Sequence, residues 1–135
     1  MKHLKKGRKF SREKGQRKAL LKIMLSDFLL KGKMKTTEAK AKELKKIAEK
    51  IISAIKKASP KKENISKIRQ IRAQLAKSVN TELLEDISKK FATRSGGYVR
   101  VIRLGQRKSD GANMAILEMT ESDAAAVPDI KNKKE

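Results

Sequence analysis

At 135 residues the chain has room for one modest core and no more. Its 36 Lys and Arg face 15 Asp and Glu, a formal +21 that sets a small compact domain against itself unless a polyanion neutralises it, and nucleic acid is the obvious counter-charge. The lack of cysteine excludes disulfides and thiolate metal sites, no apolar run is long enough for a membrane span, and no signal-peptide core follows the basic N-terminus, so the expected location is cytosolic.

From Met1 to Lys18, 9 Lys or Arg residues stand against the single acid Glu13, and beyond Met1 only Leu4 and Phe10 could be buried. So little apolar surface cannot offset an ordering cost of about 1–2 kcal/mol per residue, which predicts an arm, residues 1–18, that orders against phosphates. A merely solubilising tail would show the same charge run, but the charge of the whole chain favours binding. Ser11 is the expected cap of a first helix with apolar rows Ala19, Leu20, Ile23, Met24, Phe28 and Leu21, Leu25, Leu29, ending before Gly32. Lys33 to Thr36 is a short candidate edge strand. Thr37 can cap the second helix, with Glu38 in its first turn and Leu44, Ile47, Ala48, Ile51, Ile52 and Ile55 on one face, closed by Pro60. The lysines coating that helix carry little specificity, and core packing is the reading they support.

A weaker third helical segment covers Lys61 to Lys77, with Ile65, Ile68, Arg72, Leu75 and Ala76 roughly on one face. Asn80 or Thr81 starts a fourth helix through Leu83, Leu84, Ile87 and Phe91. The helix end then runs through Arg94, Ser95, Gly96 and Gly97 into Tyr98 to Leu104, rich in β-branched residues, and a Ser109, Asp110, Gly111 turn leads to a second apolar run, Met114 to Met119. An antiparallel hairpin beside a basic, glycine-marked corner is expected. Such a corner suits a phosphate backbone, because glycine permits close approach and arginine offers a fork of donors. Beyond Thr120 periodicity ends, and residues 121–135 read as a loose tail after a domain at 19–120.

His3 is the only histidine, so neither a Ser-His-Asp triad nor a multi-histidine metal site can be assembled. The glycines of the corner lead into a strand, unlike those of a Walker loop, and the acids form no credible catalytic pair. Neither an enzyme nor a cofactor is expected. With Phe28 and Phe91 assigned to the core, no aromatic platform remains for stacking bases, so recognition should rest on backbone shape.

The opening MKHLKKGRKFSR, the segment RKALLKIMLSDFLLKGKMKTTEAKAKELKKIAE and the block FATRSGGYVRVIRLGQRKSDGANMAILEM, in this order, resemble the L17 family of the bacterial large ribosomal subunit. The resemblance implies an α+β fold, helices packed against a small three-stranded sheet. It also implies binding to large-subunit (23S) ribosomal RNA near the peptide exit tunnel, with a neighbouring ribosomal protein, bL32, alongside and neither a membrane nor a small-molecule substrate involved. Carried over position by position, the implied RNA contacts are Lys2, His3, Lys5, Lys6, Gly7, Arg8, Lys9, Arg12 and Arg17 of the arm, then Lys35, Thr36, Thr37 and Lys40. Arg94, Ser95, Arg100, Arg103 and Arg107 complete the set. Gln16 stands where the family has a histidine, and Ser59 to Ser78 departs from the pattern, so no contact is transferred there. A DNA-binding nucleoid-type protein is the alternative that shares the charge, although no clear helix-turn-helix is present.

Overall fold

The computed structural model describes residues 7–58 and 64–120, so the expectations placed on Lys2, His3, Lys5, Lys6, Pro60 and residues 121–135 lie outside the described part. Its elements are α1 (Lys14–Lys31), β1 (Lys33–Thr37), α2 (Glu38–Ala58), α3 (Ile65–Ala73), α4 (Thr81–Lys90), β2 (Val99–Gln106) and β3 (Asn113–Met119). This is the expected α+β architecture.

The long amphipathic helix α2 is the hub. Ala41, Leu44, Ala48, Ile51, Ile55 and Ala58 recur every three or four residues and, with Ile52, are all buried, and α2 touches α1, α3, α4 and every strand. Phe28 and Leu29 from α1, Leu84, Ile87 and Phe91 from α4, and Val99, Leu117 and Met119 from the sheet close the core around it.

In α1 the inward row is Leu25, Phe28 and Leu29, whereas Ile23 is 56% exposed and Ala19 is also at the surface. Of the two expected rows, the second turns inward through Leu25 and Leu29, while the first is buried only at Phe28: Ala19 and Ile23 stay exposed, and Leu20 and Met24 are half-buried. Ser11 is not the cap. Phe10 and Ser11 both have positive φ, 56° and 50°, whereas a cap needs extended backbone, and the helix begins only behind Glu13. At the other end Gly32, with φ 70°, takes the left-handed conformation that stops the helix and donates its amide to the Phe28 carbonyl.

The third helix is shorter than its apolar pattern suggested. The amides of Gln74 and Leu75 turn to the carbonyls of Ile71 and Arg72, tightening the last turn, and the Ala76 amide leaves the helix to donate to the Ser26 hydroxyl at 2.7 Å. Ile71, Leu75 and Val79 are buried, while Ile65 is 51% exposed and Arg72 is exposed. Ser26, itself buried, donates back to the Lys22 carbonyl at 2.9 Å. One hydroxyl thus links α1 to the chain beyond α3.

The sheet order is β1-β3-β2, antiparallel throughout, which puts the short strand at an edge as expected. Register fixes its faces. Thr36, Ala115 and Arg103 share one side with Met34, Leu117 and Val101, toward α2, and the opposite side carries Lys33, Glu118 and Arg100 in one row and Lys35, Ile116 and Ile102 in the next. Both hairpin strands start one residue away from their sequence boundaries, and β2 runs two residues beyond Leu104, which bulges between Arg103 and Gly105.

Candidate nucleic-acid interface

The described end of the arm lies against the start of α2. A Cβ built on Gly7 would come within 3.8 Å of the Glu43 carboxylate, and Arg8 lines an open cleft of about 340 Å³ with Thr37, Lys42 and Asn113. Arg12 is turned back on its own chain, its Nη1 donating to the Phe10 carbonyl at 3.0 Å. Arg8 and Lys9 are exposed and meet no carboxylate among the described residues. Arg17 is half-buried in the first turns of α1.

The second group of expected contacts divides between two sides. Lys35 and Thr37 face outward on β1, Thr36 between them turns toward α2, and Lys40 is half-buried in the first turn of that helix. Lys35 therefore shares its surface with Ile116 and Ile102 rather than with Thr36.

At the corner before β2, two turns of α2 hold the loop. Glu49 accepts the backbone amides of Tyr98 and Val99 at 3.2 and 3.0 Å, and Lys56 donates its ammonium to the Arg94 carbonyl. The Tyr98 hydroxyl donates to that same carbonyl at 3.3 Å, while its ring meets Phe91 edge to face at 5.1 Å. Arg94 donates Nε to the Gly96 carbonyl at 3.1 Å, and Ser95 stands exposed. Gly97 carries the left-handed φ of 65°; Gly96 does not. Thr120 fastens the far side, its hydroxyl donating to the Gly97 carbonyl and its amide to the Tyr98 carbonyl, each at 2.9 Å. Nothing in the local sequence marks Glu49 as the residue that shapes this corner. The one available signal was an acid beside the apolar stripe of a lysine-coated helix.

Each of the three arginines of the hairpin holds a carboxylate. Arg100 and Lys33 flank Glu118 across the outer sheet face, and Arg103 reaches Glu38 at 3.0 Å in competition with Lys42 at 2.7 Å. The Lys42 hydrogen bond, followed by the charge of Arg103, holds the Glu38 carboxyl below the usual carboxylate range. Arg107 grips Asp110 with two prongs, Nε to Oδ1 at 2.8 Å and Nη2 to Oδ2 at 2.6 Å. That fork, helped by the Ala112 amide, lowers the Asp110 carboxyl to about 2, and in turn raises the Arg107 guanidinium above its ordinary value.

What the surface offers is therefore a set of ammonium and guanidinium groups around the arm, α2 and the corner, with a tied-down hairpin beside it. Among the described residues no group of three His, Cys, Asp or Glu side chains could hold a metal ion, and no helix is long and apolar enough to cross a membrane.

The family model for ribosomal protein L17 matches residues 20–120, which include the tethered corner and the whole hairpin. The chain belongs to the ribosomal protein L17 family. A relative from Natranaerobius thermophilus, the large ribosomal subunit protein bL17, is 47% identical over 115 residues, covering 84% of this chain and 97% of its own length. The bL17 proteins of Caldanaerobacter subterraneus subsp. tengcongensis and Pelobacter propionicus are 41% and 37% identical, covering 83% and 91% of this chain and 96% and 94% of their own lengths. Family membership thus spans both the sheet and α2.

Proposed function

We propose that this chain is a structural constituent of the large ribosomal subunit that binds and stabilises large-subunit (23S) rRNA near the peptide exit tunnel. The observation that carries this reading is its membership of the ribosomal protein L17 family together with a formal +21. Exposed Arg8 and Lys9, with no carboxylate partner among the described residues, are suited to phosphates, because a cation already neutralised gains less from a second anion. The arm residues Lys2, His3, Lys5, Lys6, Gly7, Arg8, Lys9, Arg12 and Arg17 are the first set of contacts, and Lys35, Thr36, Thr37, Lys40, Arg94, Ser95, Arg100, Arg103 and Arg107 the second. The exit-tunnel position and the neighbouring bL32 rest on the family resemblance. The role is one of holding RNA in shape, without catalysis.

Sedimentation of a nuclease-treated lysate tests the reading. After DNA is digested, the chain should travel with large subunits and leave them only when the rRNA is degraded or the salt is raised. Release on removal of DNA alone would overturn the reading in favour of a nucleoid protein.

A further inference from the structure

Two neighbouring rows of α2 meet the corner, and they are used differently. Glu49 and Lys56, two turns apart, hold the loop. One residue further along, Lys50, Ser53 and Lys57 form the next row, and between it and Ser95 and Gly96 runs an open groove of about 470 Å³. Lys50 and Lys57 are exposed, and neither meets a carboxylate or carbonyl partner among the described residues. Glu49, the acid on the groove wall, has one oxygen on each of two backbone amides. The Gly96 carbonyl is occupied by Arg94. Two lysines whose Cα atoms lie about 10 Å apart along the helix axis remain, at about 1.5 Å of rise per residue, with the Ser53 and Ser95 hydroxyls lining the space between the walls.

We infer that this groove seats the phosphodiester backbone of rRNA, with Lys50 and Lys57 as the charge partners of separate phosphates and Ser53 and Ser95 donating to their non-bridging oxygens. The inference rests on the rRNA-binding function proposed above and adds to it a subsite on α2, whose lysines the sequence pattern assigns only to the solvated side of a core helix. Three features select a phosphate backbone. Cations two turns apart fit an extended line of charge, and hydroxyls beside them can donate to any phosphate oxygen. Bases find no face to stack on, because Tyr98 is buried edge to face against Phe91. The Gly96 wall allows close approach, since a Cβ there would meet nothing within 4 Å and the open space is left to the ligand.

The test is the full chain carrying Lys50→Gln with Lys57→Gln, titrated with deproteinised large-subunit rRNA between about 50 and 200 mM salt. Affinity should fall about tenfold or more. The plot of log affinity against log salt should become shallower by about 1.5, from two lost contacts at roughly 0.7–0.9 each, with the melting temperature unchanged. Lys45→Gln with Lys67→Gln removes the same charge at exposed positions away from the groove, and should keep most of the affinity. If both double variants weaken binding equally, or the first binds like the wild type, the groove is overturned while the rRNA-binding reading stands. A wild-type chain that does not bind the rRNA overturns both.

Discussion

The positive charge of this protein is of two kinds, and the arm and the Lys50 and Lys57 row of α2 differ from the hairpin arginines in which they carry. Arg8, Lys9, Lys50 and Lys57 stand exposed with no carboxylate partner among the described residues, whereas Arg100, Arg103 and Arg107 each hold one. An exposed ion pair contributes only about 0–1 kcal/mol to stability, so the hairpin pairs are not there chiefly to hold the fold. They leave the hairpin carrying less net field than its arginine count suggests, while the field of the unpaired groups stays available to a polyanion. On the proposed rRNA-binding function, the unpaired cations rather than the arginine count mark where binding charge is expected.

The sharpest way to break this comparison is to remove residues 1–12, which leaves Glu13 and all of α1 in place. Binding to large-subunit rRNA should drop at least a hundredfold near 100 mM salt, and the salt slope should flatten by up to about 5, at roughly 0.9 per cation removed. The melting temperature should hardly move. A slope that survives the deletion would place the binding charge elsewhere. Next in size is Glu49→Ala, which leaves the Tyr98 and Val99 amides without their acceptor and should cost about 2 kcal/mol in a denaturant titration. Because this loosens the corner itself, RNA affinity should fall with it; unchanged stability would show that water replaces the carboxylate without loss.

Sequence carried the architecture better than the detail, and the reasons are specific. The α2 stripe, the stop at Gly32 and the hairpin were legible because periodicity and turn residues act over a few positions. The misplaced start of α1 came from Phe10 and Ser11, whose left-handed turn has no glycine to announce it. The early end of α3 came from Ser26, 50 residues away, claiming the Ala76 amide. At the interface, residue type marked the corner and the arm, but the pairing of Arg100 with Glu118 and of Arg103 with Glu38 depends on strand register and on a contact across 65 positions, which no local window contains.

A second substitution separates backbone from ligand at the corner. Gly97→Val forces a β-branched residue into φ 65° and should cost about 1–3 kcal/mol, lowering the melting temperature by several degrees. Gly96→Val meets no such penalty on its backbone and has open space for the side chain, so its melting temperature should stay near wild type. Equal loss in both would mean that the loop, rather than one dihedral angle, is strained. Smaller still is Arg100→Ala, which leaves Glu118 with Lys33 and should cost no more than about 1 kcal/mol. Its effect on the salt slope should be visibly less than that of Arg8→Ala. A full unit lost from Arg100→Ala would erase the distinction between paired and unpaired cations.

The smallest effect is expected at Asp110, where acid should undo a single pair. Its carboxyl sits at about 2 in the folded chain, held there first by the Arg107 fork and then by the Ala112 amide, against an ordinary value of 3.8. On acidification the unfolded chain takes up this proton before the folded chain does. The pair's contribution is therefore complete above pH 3.8 and disappears as pH falls through about 2. Asp110→Asn removes the titrating group, so the stability gap between wild type and variant should be constant near neutrality and close within that acidic window. Because Glu38 is also held low by Lys42 and Arg103, only the difference between the two proteins isolates Asp110. Melting curves of both proteins across the window supply that difference. A gap that persists unchanged to the bottom of it would mean that Asp110 closes the hairpin turn through neutral hydrogen bonds, and the pairing that sets the hairpin apart from the arm would lose one of its three examples.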